Sequence, residues 1–231
     1  MPAAPNAAFP FNFPVWSLFY ELVANFVYAA LVKRLTTTII IIIVITGFCG
    51  MAIQALGYDT LDSGSDLRDY SPALARVTFS FLTGVFLYRL WPEKRRDASG
   101  LPSMIALAAI MAIPIWSLHG VVDLFAATLV FPTIVFFSAS IQPSRRLARF
   151  YLLLGRLSYP IYALHYPILT VGFAMKAKLA LTGTWLYAFA LLELGFIIVI
   201  AYIALIVYDE PVRSWLRSNF GSQRSAKLRS A

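Results

Sequence analysis

The 231-residue chain has one cysteine, Cys49, and two histidines, His119 and His165. One cysteine excludes an internal disulfide and any cysteine-cage metal site, so no metal is expected. Charge is scarce too. Only 13% of the residues are charged, about half the share of an ordinary globular protein, which excludes a soluble domain. Acidic residues are fewest, 11 against 19 Lys+Arg, for a formal charge of +8. That excess does not point to nucleic acid, because the basic residues are not interleaved with aromatics on one stretch. They fall between apolar runs, which is a membrane pattern. Disorder is excluded by what is abundant, since 60% of the chain is hydrophobic and 15% aromatic.

A helix needs about 20 mostly apolar residues to cross a hydrocarbon core, and unpaired backbone is not tolerated in lipid. Seven such runs predict an all-α, polytopic helical bundle: Val15 to Val32, Thr38 to Gly57, Ala73 to Trp91, Ser103 to Leu118, Val121 to Ser140, Tyr151 to Phe173 and Leu181 to Tyr208. The fourth is the shortest and contains Pro114; a re-entrant pair with the fifth is its alternative. The Ile39 to Ile43 run reads as lipid-facing surface.

Short loops rich in Lys and Arg stay cytoplasmic. One side collects Lys33, Arg34, Arg89, Lys94, Arg95, Arg96, Arg145, Arg146 and Arg149, together with Arg213, Arg217, Arg224, Lys227 and Arg229 from the tail. The other carries Asp59, Asp62, Asp66 and Asp69 against Arg68, and the turn at His119 and Gly120, with Lys176 and Lys178 as exceptions. Alternation puts the N-terminus outside and the C-terminus inside. Residues 1–208 then form the transmembrane domain, and the basic tail, 209–231, lies against anionic headgroups. The expected partner is the bilayer of the cell membrane, crossed in multiple passes. Trp16, Trp91, Trp116, Trp185 and Trp215 all fall at helix ends, as an interfacial belt requires. The first 14 residues carry no charge and no basic n-region of a signal peptide, which fits an internal piece of a longer protein.

A charged side chain at the bilayer centre costs about 3 kcal/mol even on lenient scales, so Glu21, Arg76, His165 and Glu193 should face the bundle interior. Ser17, Glu21, Asn25 and Tyr28 share one helix face; Arg76, Ser80 and Thr83 share another; Ser158, Tyr162 and His165 form a third, on a helix that Pro160 and Pro167 should kink. Counted from the outer end, Glu21 lies ~9 Å deep, Arg76 ~5 Å, His165 ~12 Å and Glu193 ~18 Å. Plainer readings stand beside these: Glu21 and Arg76 as a buried ion pair that only fixes packing, His165 as a hydrogen-bonded core histidine, Glu193 as a lone buried carboxyl, and Tyr159, Tyr162 and Tyr166 as packing residues.

Two stretches carry more. Asn12-Phe13-Pro14-Val15-Trp16-Ser17-Leu18, followed by Glu21 and Tyr28, resembles the Trp-Ser-Leu-x-x-Glu signature of the integral membrane acyltransferase-3 family. Leu154 to His165 is similar to its Gly-x-x-Ser-Tyr-x-x-Tyr-x-x-His segment, Arg76 ahead of Phe81 and Gly84 to its Arg and Gly helix, and Asp209-Glu210-Pro211 to its closing acidic-Pro step. The resemblance implies transfer of an acyl group, often acetyl, from an acyl-CoA donor to hydroxyls of a surface carbohydrate or a similar or lipid-linked acceptor, with no permanently bound cofactor. It implies about ten spans, of which these are the last seven, so that the shorter chain by itself is either active or a remnant. The family's first helix carries a basic residue followed about eleven positions later by a His regarded as catalytic; Ala108 and Leu154 stand eleven before His119 and His165, so that motif is absent here. On this reading His165 and Glu21 are the catalytic candidates: His165 acts as base and Glu21 orients a hydroxyl. Arg76 and Ser17 bind substrate, and Trp16, Tyr159 and Tyr162 line the acceptor path.

Other seven-helix classes fit less well. A retinal protein needs a Schiff-base Lys, and the last span has none; the two His lie on different helices, which argues against bis-His haem. The rival reading is a transporter or channel, for which Glu193, Pro114, Pro132 and Pro160 suit a polar path.

Overall fold

In the computed structural model the described residues are 9–62, 64, 70–91, 96–97, 100–112 and 119–221. Pro114, Trp116, Asp66, Arg68, Asp69, Lys94, Arg95, Arg224, Lys227 and Arg229 lie outside them. The chain divides into two compact units, Pro2–Arg149 and Phe150–Ala231.

The first unit is built from α1 (Val15–Leu31), α2 (Thr37–Tyr58), α3 (Tyr70–Arg89), α4 (Leu101–Ala112), α5 (His119–Phe125) and α6 (Phe131–Ala139). Residues Ala126–Val130 join α5 to α6 as a π-helical turn, so that the pair runs as one apolar rod over His119–Ala139. The only strands among the described residues are the parallel pair β1 (Arg96–Asp97) and β2 (Ile141–Gln142). Thr36 starts α2 by accepting the Ile39 amide on its hydroxyl at 3.3 Å, which satisfies one of the free N–H groups of the first turn. Asp59 ends it in the left-handed conformation, φ 52°, a position that Asp tolerates.

α2 and α3 pack closely because small residues line their seam. A Cβ on Gly47 would stand 3.1 Å from Phe79 Cβ, and one on Gly50 2.8 Å from Ala75 Cβ. Within lipid, helices associate through such close approach rather than through the hydrophobic effect. Met51, Ala55, Leu61 and Phe79 form the core, with Val44, Leu124 and Ala127 against it. Ile40 is fully buried while Ile39, Ile41 and Ile42 are exposed. The isoleucine run is therefore not all lipid-facing, since a 3.6-residue period turns one of its members inward.

Polar contacts fix which helix ends coincide. At one end Arg89 donates to the Thr37 hydroxyl (3.2 Å) and the Leu35 carbonyl (2.7 Å), and Arg96 pairs with Ile141. At the other, the Gly120 amide donates to Asp59 Oδ1 at 2.9 Å, and His119 Nδ1 lies 3.7 Å from Asp59 Oδ2. α2 and α3 are thus antiparallel, and α5–α6 starts where α2 ends.

The second unit holds most of α7 (Arg145–Lys178), then α8 (Gly183–Ala204), a π-helical turn at Leu205–Asp209, α9 (Glu210–Leu216) and a last π turn at Arg217–Gly221. α7 continues past both Pro160 and Pro167. At ~1.5 Å per residue its 34 residues reach about 50 Å, more than a hydrocarbon core is thick. Its expected span is one section of this longer rod.

Among the described residues three helices are long and apolar enough to cross a membrane: Thr37–Tyr58, His119–Ala139 and Gly183–Asn219. They correspond to the second, fifth and seventh expected spans. Val15–Leu31 and Leu101–Ile110 are apolar but shorter, and the remainder of the fourth expected span, 113–118, lies outside the described residues. The Trp belt needs one correction. Trp185 and Trp215 are exposed, but Trp16 is buried, 7% exposed, because a loop and an arginine of the same unit cover it.

Candidate functional site

In the first unit α1 and α3 enclose a cavity of about 340 Å³ lined by Trp16, Ser17, Glu21, Arg76, Val77, Ser80 and Phe81. The two polar faces read from the sequence therefore meet. Ser17 and Glu21 arrive from α1, one helical turn apart; Arg76 and Ser80 arrive from α3 at the same spacing. Two turns further along α1 from Glu21, Tyr28 meets Phe81 edge to face at 5.6 Å and closes that end of the seam.

Arg76 is held from two sides. Its guanidinium carbon lies 5.6 Å from the centre of the Trp16 ring, within cation–π range, and Nη1 donates to the Leu61 carbonyl at 3.0 Å. The Glu21–Arg76 ion pair of the plainer reading is absent: among the described residues no carboxylate lies within 4.0 Å of Arg76, and Glu21 is exposed. The physical reason is that the Leu61 carbonyl, in the loop after α2, and the Trp16 ring, on α1, already satisfy the cation. Ser17 Oγ donates to the Pro14 carbonyl at 3.2 Å, and Asn25 turns back on its own helix, donating to the Glu21 carbonyl at 2.9 Å. Asn25 therefore adds nothing to the cavity.

Sequence reasoning missed the wall over Trp16. Gly64, with φ +113°, lies so close that a Cβ there would meet Ala73 Cβ at 2.7 Å and Trp16 at 2.8 Å. The Ser-Gly-Ser run in the acidic loop was the available signal, because glycine is the residue that tolerates both a positive φ and a close approach.

Tyr159, Tyr162 and His165 lie on α7 in the second unit. His165 Nδ1 is 2.8 Å from the Tyr162 carbonyl and 3.2 Å from the Ile161 carbonyl. A carbonyl only accepts, so Nδ1 carries the proton, and in the neutral ring Nε2 presents a lone pair. The Tyr162 ring packs on the imidazole with centroids 5.6 Å apart. Ser158 is spent locally, donating to the Gly155 carbonyl at 2.8 Å, and Tyr159 is exposed. The same unit joins two stretches that the sequence singled out separately: Arg156 Nη2 stands 2.7 Å from Glu210 Oε1.

Glu193 is not a lone carboxyl. Lys176 Nζ lies 2.6 Å from its Oε2, with both side chains largely buried, and the ammonium also faces the rings of Phe173 (4.7 Å) and Phe189 (5.4 Å). Lys176 stood out as a basic residue on the acidic side of the thread because it serves this pair within the helices. Among the described residues no group of three His, Cys, Asp or Glu side chains is placed to hold a metal ion.

No curated protein and no solved structure matches the chain. A family model does: the acyltransferase domain of the acyltransferase-3 family covers residues 2–206. With apolar helices of spanning length, a polar cavity between α1 and α3, and a match over nearly its full length, the chain belongs to the acyltransferase-3 family of membrane proteins and is an acyltransferase.

Proposed function

We propose that this acyltransferase moves an acyl group, acetyl in the simplest case, from a cytoplasmic acyl-CoA to a hydroxyl of a cell-surface carbohydrate or a similar extracytoplasmic acceptor. The observation that carries the reading is the cavity between α1 and α3, which combines an indole face, a fixed guanidinium, a carboxyl and two hydroxyls. A sugar ring stacks on an aromatic face and is oriented by carboxylate and hydroxyl groups. Trp16 supplies the face; Glu21, Ser17 and Ser80 supply the hydrogen bonds. Arg76, a permanent cation that needs no further proton, holds an oxygen that gains negative charge.

The chemistry is an exchange of one bond for another. The acceptor oxygen forms a bond to the thioester carbonyl carbon, its proton passes to a base, the carbon–sulfur bond breaks, and the coenzyme thiolate takes the proton back as the base is regenerated. His165 suits the role of base because its Nδ1–H is anchored on backbone and Nε2 is left as the acceptor. Tyr162, packed on that ring, fixes its orientation, and Tyr159 contributes an exposed ring to the acceptor path. Seven crossings of the cell membrane, with the N-terminus outside and the basic tail against inner anionic headgroups, set donor and acceptor on opposite faces.

The test is transfer of labelled acetyl groups from acetyl-CoA to endogenous surface carbohydrate in membranes that contain the protein. His165→Ala should lower kcat by about a hundredfold or more, and Trp16→Ala should raise KM for the acceptor. Transfer unchanged in both variants would remove the assignment; labelled product inside sealed vesicles would reverse the orientation.

A further inference from the structure

Among the described residues Arg76 has no carboxylate beside it, and its hydrogen-bond acceptor is the Leu61 carbonyl. A cation over a ring is held at a distance, whereas a hydrogen bond also fixes direction. Where the guanidinium points within the α1–α3 cavity therefore depends on where Leu61 holds its carbonyl. Leu61 is anchored on several sides. Its side chain, 5% exposed, sits in the core with Met51, Ala55 and Phe79. After it, the Asp62 amide donates back to the Thr60 hydroxyl at 2.9 Å and closes the turn. Before it stands Asp59, whose Oδ1 accepts the Gly120 amide from the first turn of α5 at 2.9 Å. The approach is close: a Cβ on Gly120 would collide with the Ala55 carbonyl and stand 2.8 Å from both the Asp59 carbonyl carbon and the Thr60 amide nitrogen. α5 thus presses on the backbone of the two residues that precede Leu61.

Asp59 combines two properties. It adopts φ 52°, a conformation that Asn and Asp tolerate better than other residues with a side chain, and it supplies an acceptor to an amide that has no partner within its own helix. His119 Nδ1, 3.7 Å from Oδ2, makes an exposed contact of little energetic weight, so the Gly120 hydrogen bond carries the connection. We propose that Asp59 is a positioning residue for acyl transfer: by binding the Gly120 amide it fixes the Leu61 carbonyl, and through that carbonyl the guanidinium of Arg76 over Trp16. The inference rests on the reading of the α1–α3 cavity as the acyl-transfer site. Asp59 itself is not among the residues that line that cavity.

The test is a double-mutant cycle on the full chain in membranes. Its readouts are acetyl transfer and the fluorescence of Trp16, the latter with the other tryptophans changed to Phe. Asp59→Gly keeps the left-handed backbone and deletes the acceptor, so kcat should fall about tenfold with KM for the acceptor unchanged, and the Trp16 emission should shift. Asp59→Asn keeps both the acceptor oxygen and the backbone, without the charge, and should restore kcat and emission. On an Arg76→Ala background Asp59→Gly should cause no further loss of kcat, because it acts only through the guanidinium. Losses that multiply, an Asn variant as impaired as the Gly variant, or a Trp16 emission that ignores Asp59→Gly overturn the proposal. Unchanged kcat in Arg76→Ala itself would instead remove the assignment of the cavity to acyl transfer, and the emission of Trp16 would still decide whether Asp59 places the cation. If Asp59→Gly folds poorly, Asp59→Ser repeats the cycle with a side chain one atom shorter, which falls short of the Gly120 amide.

Discussion

Arg76 lies over the Trp16 ring at 5.6 Å while its Nη1 donates to the Leu61 carbonyl, so one side chain ties α3 both to α1 and to the loop that follows α2. The cavity wall and the fold around it are therefore the same interaction. Arg76→Ala should lower kcat/KM for acyl transfer by about ten- to a hundredfold, the scale of a lost hydrogen bond from a charged donor. Arg76→Lys should recover only part, because an ammonium lacks the planar fork that stacks on indole and donates sideways. Steady-state kinetics in membranes check both, with Trp16→Phe retaining more activity than Trp16→Ala.

Gly64 presses on Trp16 with φ +113°. Gly64→Ala meets both a backbone cost and a side-chain collision, so stability should fall by about 1–3 kcal/mol. The indole should shift with it, and the intrinsic fluorescence of Trp16, isolated against a background with the other tryptophans changed to Phe, would report the move. An unchanged spectrum and melting temperature would mean that the loop gives way freely.

The Lys176–Glu193 pair is 2.6 Å long, with side chains 14% and 5% exposed. Removing one partner leaves a buried charge uncompensated, so Lys176→Met should cost about 3–5 kcal/mol. Replacing both, as Lys176→Met with Glu193→Leu, should return stability close to the starting value, because well-packed apolar residues need no desolvation repaid. Thermal unfolding in a mild detergent separates the two outcomes; a double variant as unstable as the single one would show that the pair contributes more than mutual neutralisation.

The turn between α7 and α8 places Ala180 at φ 47°. A Cβ in the left-handed region costs about 1 kcal/mol, so Ala180→Gly should raise stability by roughly that amount and leave acyl transfer unchanged. This is a control on the backbone alone, since the proposed site does not include Ala180.

Composition and periodicity by themselves determined the class of this protein. Scarce charge and long apolar runs leave no arrangement but helices in lipid, because each backbone N–H and C=O must be satisfied within its own segment. The turn-by-turn spacing of Ser17 with Glu21, and of Arg76 with Ser80, was legible for the same reason: helix geometry fixes which residues share a face. Which faces meet is a property of the folded chain. Only the tertiary structure decided that the Leu61 carbonyl and Trp16, not Glu21, satisfy Arg76, that Gly64 covers the indole, and that Lys176 reaches from α7 to Glu193 on α8. These partners are 15, 48 and 17 positions apart. Nothing in local spacing relates residues so distant; packing does, through the small residues that let helices approach and the glycines that make room for a side chain.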